Sequence, residues 1–320
     1  MQLNHKLEPC YKILKFAAGS NILLAETPWF KNRLTDQGFE NWIGSSSTGT
    51  DSLFSFCALG NGTGVPSNTD STISQVGNRF GKVVGADDLE TVIAASNVLT
   101  CITAYITPVA TSSYSVSEVG IFNAASGGIL VSRALIKDVT GTPASITVSP
   151  GEYLKVLYQI QVTADLTDKT GSFVWNSVTY NYTARPCAWN TGLSLAPKTT
   201  TNFWVWPKGA ISDSPGNGFG LSRALAHDSN TLAAITARPT YTTSGLAGSI
   251  SAAAYTANSK ARKIEYTFGA SEANIAGGIG GVILESNVPD QAGFQIVFSP
   301  KIPKVSPTSF KVAITHQFSR

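Results

Sequence analysis

Alternation of apolar and polar residues is the strongest pattern along the chain, and it predicts β-strands. Within Tyr114 to Thr163 it is clearest from Leu154 to Val162, where every second residue is apolar. Side chains two residues apart share one face of a strand, so this segment predicts a strand with a buried face. Turn residues separate it from its neighbours; they are Gly127-Gly128, Gly141 with Pro143, and Pro150-Gly151. The stretch is predicted to be a β-meander of four short strands.

Strand patterns also occur elsewhere in the chain. Before and after the meander they cover Phe54–Leu59, Val92–Pro108, Phe173–Trp175 and Val178–Tyr182. Near the C-terminus they cover Ile264–Phe268, Ile279–Leu284, Phe294–Phe298 and Phe310–Phe318, which predict a second β-sheet domain. No stretch shows the βαβ order of parallel α/β folds. The chain is therefore predicted to be all-β, with two β-sandwich-like domains.

The first 42 residues have a different pattern from the rest. A charged, strand-like piece is followed by an amphipathic segment from Lys31 to Trp42, whose apolar spacing predicts a short helix. Thr27, followed by Pro28, is the predicted cap of this helix. The predicted organisation is an N-terminal arm (1–42), a β-sandwich domain (43–168) and a second β-rich domain with an aromatic-rich insertion (169–320). The arm is expected either to dock on the first sandwich or to embrace a neighbouring subunit.

Composition favours a protein that contacts copies of itself. Charged residues make up 13% of the 320 residues, against a typical ~25%, so few charges would be desolvated at subunit contacts. The net charge is +3 and the basic residues are scattered along the sequence, which predicts no nucleic-acid binding. The sequence shows neither a signal-peptide pattern nor an apolar run long enough for a transmembrane helix, so no membrane insertion is expected.

The pattern of histidines and cysteines does not predict a catalytic or metal site. His5, His227 and His316 are far apart and lack the spacing of metal ligands. Ser222, His227 and Asp228 could compose a hydrolase triad, but the GxSxG motif is missing. The four cysteines have no metal-binding spacing and are predicted to be reduced thiols; they are Cys10, Cys57, Cys101 and Cys187.

Acidic residues and glycines give equally weak chemical signals. Two groups of carboxylates could act in glycoside cleavage; they are Asp87-Asp88 with Glu90, and Asp213 with Asp228. Acidic residues are more often solvated surface residues, and that is the favoured interpretation. The glycine-rich loop Gly60–Pro66 lacks the GKS or GKT of a phosphate loop. Glu118 and Arg133 flank two predicted strands, and their pairing is a hypothesis. No catalytic residue, metal or cofactor is predicted.

Six aromatic residues in the second predicted domain are the candidate binding residues. Flat aromatic rings can stack on sugars, but they also fill cores and anchor subunit contacts, which is the favoured interpretation here. They are Trp175, Tyr180, Tyr182, Trp189, Trp204 and Trp206.

Five segments resemble virion structural proteins of tailed bacteriophages, the relatives commonly labelled tail fibre, collar, neck or minor tail proteins. They are ETPWFKNRLTDQGFENWIG, LGNGTGVPSNTDSTI, SEVGIFNAASGGILVSRALI, PASITVSPGEYLKVLYQIQV and GFQIVFSPKIPKVSPTSFKVAITHQFSR. The resemblance does not include Thr170–Ala257. It implies a β-sandwich subunit present in several copies per particle, without an enzyme active site.

The resemblance and the residues together predict a non-enzymatic component of the phage tail, collar, neck or baseplate. It would assemble as a homo-oligomeric ring or fibre, contact other virion proteins, and be made in the bacterial cytoplasm before it enters the virion. An alternative is a tail fibre or spike that binds host glycans through the aromatic residues. A polysaccharide depolymerase is a third possibility, but no catalytic pattern in the sequence supports it.

Overall fold

The computed structural model describes residues 1–44, 53–83, 90–93, 98–187, 223–285, 293–305 and 307–320. Across these residues the chain consists almost entirely of β-strands and turns, and the only α-helix is α1 (Asp36–Gly44). The prediction of an all-β fold is therefore confirmed.

The described strands are numbered in chain order. They are β1 (Gln2–Ala17), β2 (Ile22–Glu26), β3 (Phe30–Lys31), β4 (Arg33–Leu34), β5 (Phe56–Gly60), β6 (Phe80–Gly81), β7 (Glu90–Ile93), β8 (Val98–Ile106), β9 (Tyr114–Val116), β10 (Glu118–Phe122), β11 (Leu130–Leu135), β12 (Ile146–Val148), β13 (Glu152–Ala164), β14 (Lys169–Trp175), β15 (Val178–Cys187), β16 (Arg223–His227), β17 (Ser244–Leu246), β18 (Ser249–Ala252), β19 (Ala261–Phe268), β20 (Ile279–Glu285), β21 (Gly293–Ile302) and β22 (Phe310–Ser319).

Strand β1 lies in the middle of the largest sheet. The strand order of this nine-stranded sheet is β18-β19-β22-β1-β13-β8-β7, and β2 and β3 also pair with β1. The pairing of β1 with β13 is antiparallel, and its pairing with β22 is parallel. The sheet thus takes strands from all three predicted segments, 1–42, 43–168 and 169–320, so those boundaries do not separate the sheets. Within the predicted arm, β1 is an interior strand because both of its edges are paired.

Three smaller sheets complete the described fold. Their strand orders are β4-β11-β10-β5-β6, β12-β9, and β14-β15-β21-β20-β16-β17. The four predicted C-terminal strands all form, but β19 and β22 join the nine-stranded sheet while β20 and β21 join the six-stranded one. Alternation in three of these segments and an apolar run in Ile279–Leu284 predict the strands correctly but do not specify the sheet that each strand joins.

The meander forms with the predicted buried face. Leu154, Val156, Tyr158 and Ile160 are all buried on β13. Five described strands, β9 to β13, occupy the region where four were predicted. At its corners Gly127, Gly128 and Gly151 have positive φ, a conformation that glycine adopts without a steric penalty.

Helix α1 begins later than the sequence predicts. The cap is Thr35, whose Oγ1 accepts a hydrogen bond from the Gly38 N–H at 3.0 Å, and the predicted cap Thr27 instead accepts one from the Ile13 N–H at 2.9 Å. The apolar residues Phe30 and Leu34, whose spacing suggested a helix, lie on the short strands β3 and β4. The helix was therefore predicted to start too early. Gly38 lets the helix approach β11, because a Cβ there would lie 2.4 Å from the Val131 carbonyl oxygen.

Aromatic side chains join the nine-stranded sheet to the five-stranded sheet. Tyr11 of β1 and Ser132 of β11 share a buried hydrogen bond of 2.6 Å between their hydroxyl groups. The ring of Tyr158 lies 5.0 Å from that of Tyr11 and 5.7 Å from that of Phe54, centroid to centroid. Trp42 of α1 packs edge-on against Phe54. The two sheets therefore pack face to face in the sandwich-like manner predicted.

A buried ion cluster fixes the glycine-rich loop. The fully buried Glu118 carboxylate lies 2.7 Å from the Arg133 guanidinium, which confirms the hypothesis that these residues pair. Arg133 also bonds Asp70 at 2.7 Å. The other oxygen of Glu118, Oε1, accepts hydrogen bonds from the Gly62 and Ser74 N–H groups. The loop Gly60–Pro66 thus wraps around a carboxylate of its own chain.

The glycines of this loop have a steric cause. A Cβ at Gly62 would lie 2.3 Å from Glu118 Oε1, and a Cβ at Gly60 would lie 2.6 Å from the same atom. Side chains at either position would displace the carboxylate from its partners. Glycine density here reflects close packing on Glu118 rather than a phosphate site.

Substitution of Glu118 by Gln should destabilise the fold by about 3 kcal/mol, because the buried Arg133 guanidinium loses the more deeply buried of its two carboxylate partners and keeps only Asp70 among the described residues. The matched control is Glu26→Gln, which removes a carboxylate from the solvent-accessible Lys12–Glu26 pair and should cost less than about 1 kcal/mol. Urea denaturation measures both. An equal decrease in the free energy of unfolding in the two variants would contradict the conclusion that the buried Glu118–Arg133 pair stabilises the fold more than a surface pair does.

Candidate functional site: an exposed apolar strand

Strand β2 exposes apolar side chains along its whole length. All five residues of β2 are exposed, and the three largest apolar ones have 59%, 46% and 46% of their surface accessible; they are Ile22, Leu23 and Leu24. Single exposed apolar residues are common on protein surfaces, whereas a contiguous run is typical of an interaction surface. We call these three residues and their strand the β2 edge.

The β2 edge is held firmly although it is exposed. β2 pairs with the end of β1, from Leu14↔Glu26 to Ala17↔Ile22. Lys12 and Glu26 form an ion pair of 2.9 Å across this hairpin, and the Tyr153 hydroxyl donates to Asn21 Oδ1 at 2.9 Å. A partner that binds a strand already held in this way does not have to order it first.

The free side of β2 can accept a further strand. Among the described residues β2 pairs with β1 alone, so its other edge presents unpaired backbone N–H and C=O groups. Such an edge is a template for pairing with another chain, and the apolar side chains beside it can be buried at the same time. Sequence analysis predicted contacts through the arm but did not identify these residues, although the unbroken run Ile22-Leu23-Leu24 was a visible signal.

The predicted aromatic residues that the structure describes pack toward the core. Trp175 and Tyr180 lie on the hairpin of β14 and β15 with ring centroids 6.3 Å apart. Tyr180 is buried, and Phe173 stacks on it at 5.5 Å. Trp175 and Tyr182 are partly buried against the same core. Trp189, Trp204 and Trp206 lie outside the described residues, as do Ser222, Asp213, Asp87 and Asp88.

Tyr182 also borders a cavity between two sheets. Its ring lies over Gly171 of the neighbouring strand, where a Cβ would come 2.5 Å from the Tyr182 hydroxyl. The cavity measures about 400 Å³ and is lined by Tyr182, Phe173, Phe298 and Phe310 among others. Aromatic rings from β14, β15, β21 and β22 therefore meet at one place.

The residues considered for hydrolysis serve the local structure where they are described. His227 is buried and stacks on Tyr241 with ring centroids 5.4 Å apart. Asp228 accepts hydrogen bonds from the Thr242 hydroxyl and N–H groups, and the Thr242 hydroxyl is the main cause that lowers the pKa of Asp228 to about 2. In the described part of the chain, no three His, Cys, Asp or Glu side chains are grouped as metal ligands.

Two histidines that are distant in sequence form a buried pair. His5 Nε2 lies 3.0 Å from His316 Nδ1, and the two rings are stacked. This contact follows from the parallel pairing of β1 with β22 and was not predicted. Burial lowers the pKa of His316 to about 4 and that of His5 well below its usual value. Burial also lowers the pKa of His227 to about 4.

Stability should fall as the pH drops from about 6.5 toward 4. The unfolded chain protonates its histidines near pH 6.5, whereas in the folded chain His316 and His227 resist protonation until about pH 4, so acid favours unfolding. His316 and His227 should each contribute about 3 kcal/mol of loss by pH 4, and the lowered pKa of His5 acts in the same direction. Carboxylates titrate mainly below about pH 5, so the interval between pH 6.5 and 5 reports on histidines.

Urea denaturation at a series of pH values checks this expectation. The His316→Gln variant should show a shallower decline between pH 6.5 and 5, whatever its absolute stability, because it lacks one titrating group. A wild-type stability that stays constant across this interval would contradict the buried, neutral state of the histidines.

Comparison with models of protein families, with curated proteins and with solved structures finds no match for this chain. Within the described residues, no helix has the length and apolar character needed to span a membrane.

Proposed function

We propose that this chain is a non-enzymatic structural component of a tailed-phage virion, located in the tail, collar, neck or baseplate. It assembles with other copies as a ring or fibre and contacts other virion proteins. The observation that carries the assembly proposal is the β2 edge, a firmly held strand that exposes Ile22, Leu23 and Leu24 beside an edge with no described partner. The phage assignment rests on the resemblance of the five sequence segments.

A second copy of the chain is the partner that fits the β2 edge best. Pairing of β2 with the β2 of another copy would satisfy its backbone groups and bury the same apolar residues on both sides. Few charges would be desolvated, since the exposed run ends at Glu26 and that carboxylate already pairs with Lys12. This arrangement accords with the arm that embraces a neighbouring subunit.

Replacing Ile22 and Leu24 together by Lys should convert the assembled protein to monomers. The two charges would face each other across the contact, where burial of unpaired charge is strongly unfavourable. The control is Val139→Lys, which places the same charge at a turn residue that is 86% exposed. Light scattering after size-exclusion chromatography, across a range of concentrations, gives the mass.

Two outcomes would contradict the proposal. A wild-type protein that remains monomeric at high concentration and binds no other virion protein would remove the basis for assembly. An oligomer that persists unchanged in the double Lys variant would show that the contact lies elsewhere. Immunogold labelling of phage particles tests separately whether the protein is part of the virion.

The alternative function is glycan binding by a tail fibre or spike. The cavity beside Tyr182 favours it, because aromatic rings at its walls offer apolar faces to sugars. On this alternative, a glycan array should show binding that Tyr182→Ala abolishes, and the isolated protein should block phage adsorption to cells. An assembly subunit should show neither effect.

Release of reducing ends from host polysaccharide would contradict both non-enzymatic proposals.

A further inference from the structure

A groove of about 580 Å³ lies between the nine-stranded and five-stranded sheets. Its walls come from β1, from β3 and β4, from the end of β11, and from the loop that contains Val65 and Asn68. We call it the basic groove because six of its lining residues are cationic and one, Glu8, is acidic; the cations are Lys6, Lys31, Arg33, Arg133, Lys137 and Arg320. Residues that are scattered in the sequence are thus gathered by the fold.

Part of this charge is balanced within the protein. Arg133 pairs with Asp70 and Glu118, and Arg320 pairs with Asp36. Lys6 and Lys31 share one carboxylate, that of Glu8, at 2.9 and 3.8 Å. Neither Arg33 nor Lys137 has an ion-pair partner among the described residues. The groove therefore retains an excess of positive charge.

Two arginines lie side by side at one wall of the groove. Arg33 of β4 lies directly opposite Arg133 of β11 in the paired strands. Arg133 is already paired with Asp70 and Glu118, so the charge that remains for an anionic ligand at this wall is that of Arg33.

Two amide side chains line the groove. The Asn32 Nδ2 and Oδ1 atoms and the Asn68 Oδ1 atom are buried without a hydrogen-bond partner among the described residues. A buried polar group without a partner costs free energy, so these atoms favour a ligand that supplies one. A carboxamide carries a donor and an acceptor side by side, as a peptide group does, and can bond both backbone groups of a bound peptide.

We propose that the basic groove binds an extended acidic peptide segment of a partner protein. Carboxylates of the segment pair with Arg33 and Lys137, and its backbone bonds the Asn32 amide. The intervening side chains, which point the other way in an extended chain, contact apolar wall residues such as Pro9 and Val65. None of the described residues that line the groove is aromatic, which disfavours a sugar or base that binds by stacking. This proposal does not depend on assembly through the β2 edge.

Fluorescence anisotropy with the full chain and a labelled synthetic peptide that alternates aspartate and valine tests the proposal. The peptide should bind, and raising the salt from about 50 to about 200 mM should weaken binding because the contacts are ionic. Arg33→Gln and Lys137→Gln should each weaken binding about tenfold. Lys301→Gln, which removes an exposed lysine outside the groove, should bind as the wild type does. Thermal denaturation verifies that each variant is folded.

Asn32→Leu and two competitors identify the ligand class. Asn32→Leu should weaken binding of the peptide, since the amide can no longer bond its backbone. Pyrophosphate and a sulfated heparin oligosaccharide should compete poorly. Failure of the acidic peptide to bind overturns the proposal, as does unchanged affinity in the Arg33 and Lys137 variants. Tight binding of pyrophosphate or heparin without binding of the peptide would assign the groove to a different polyanion and overturn it as well.

Discussion

The hydrogen-bonded ladder between β1 and β13 is the interaction on which the rest of the structure depends. It runs from His5↔Ala164 to Ala17↔Glu152 along one edge of β1, and β22 pairs with the opposite edge from Gln2 to Lys6. It directs Tyr11 toward Ser132 of the five-stranded sheet and fixes the end of β1 from which β2 turns back. The sandwich core, the histidine pair and the β2 edge all follow from the position of this one strand.

The two faces of β1 explain why so charged a segment can lie inside a sheet. Leu7, Tyr11 and Ile13 are buried on one face. The other face carries Lys6 and Lys12, which pair with carboxylates of β1 itself and of β2; the pairs are Lys6–Glu8 and Lys12–Glu26. Partly accessible ion pairs contribute little stability, so their main effect is to keep this face polar without repulsion between like charges.

Local patterns predict which residues form strands, but not which strands become neighbours. The period-two pattern identified the buried face of β13 and three C-terminal strands, and an apolar run identified the fourth, Ile279–Leu284, because both signals depend on residues close in sequence. Pairing of β1 with β22 joins strands that are about 300 residues apart in sequence. The apolar and polar pattern of neither strand indicates its partner. The β2 edge had a local signal in Ile22-Leu23-Leu24. The basic groove had none, since its cations come from separate segments that only the fold brings together.

The proposal with the most consequences is association through the β2 edge. Amide hydrogen exchange of the β2 segment Ile22–Glu26, measured by mass spectrometry at low and high protein concentration, tests it most directly. If β2 forms the contact, these amides exchange rapidly in dilute protein and become protected as the protein assembles, while the exposed turn around Val139 exchanges at the same rate at both concentrations. An assembled protein in which the β2 amides exchange as rapidly as in the monomer would contradict it.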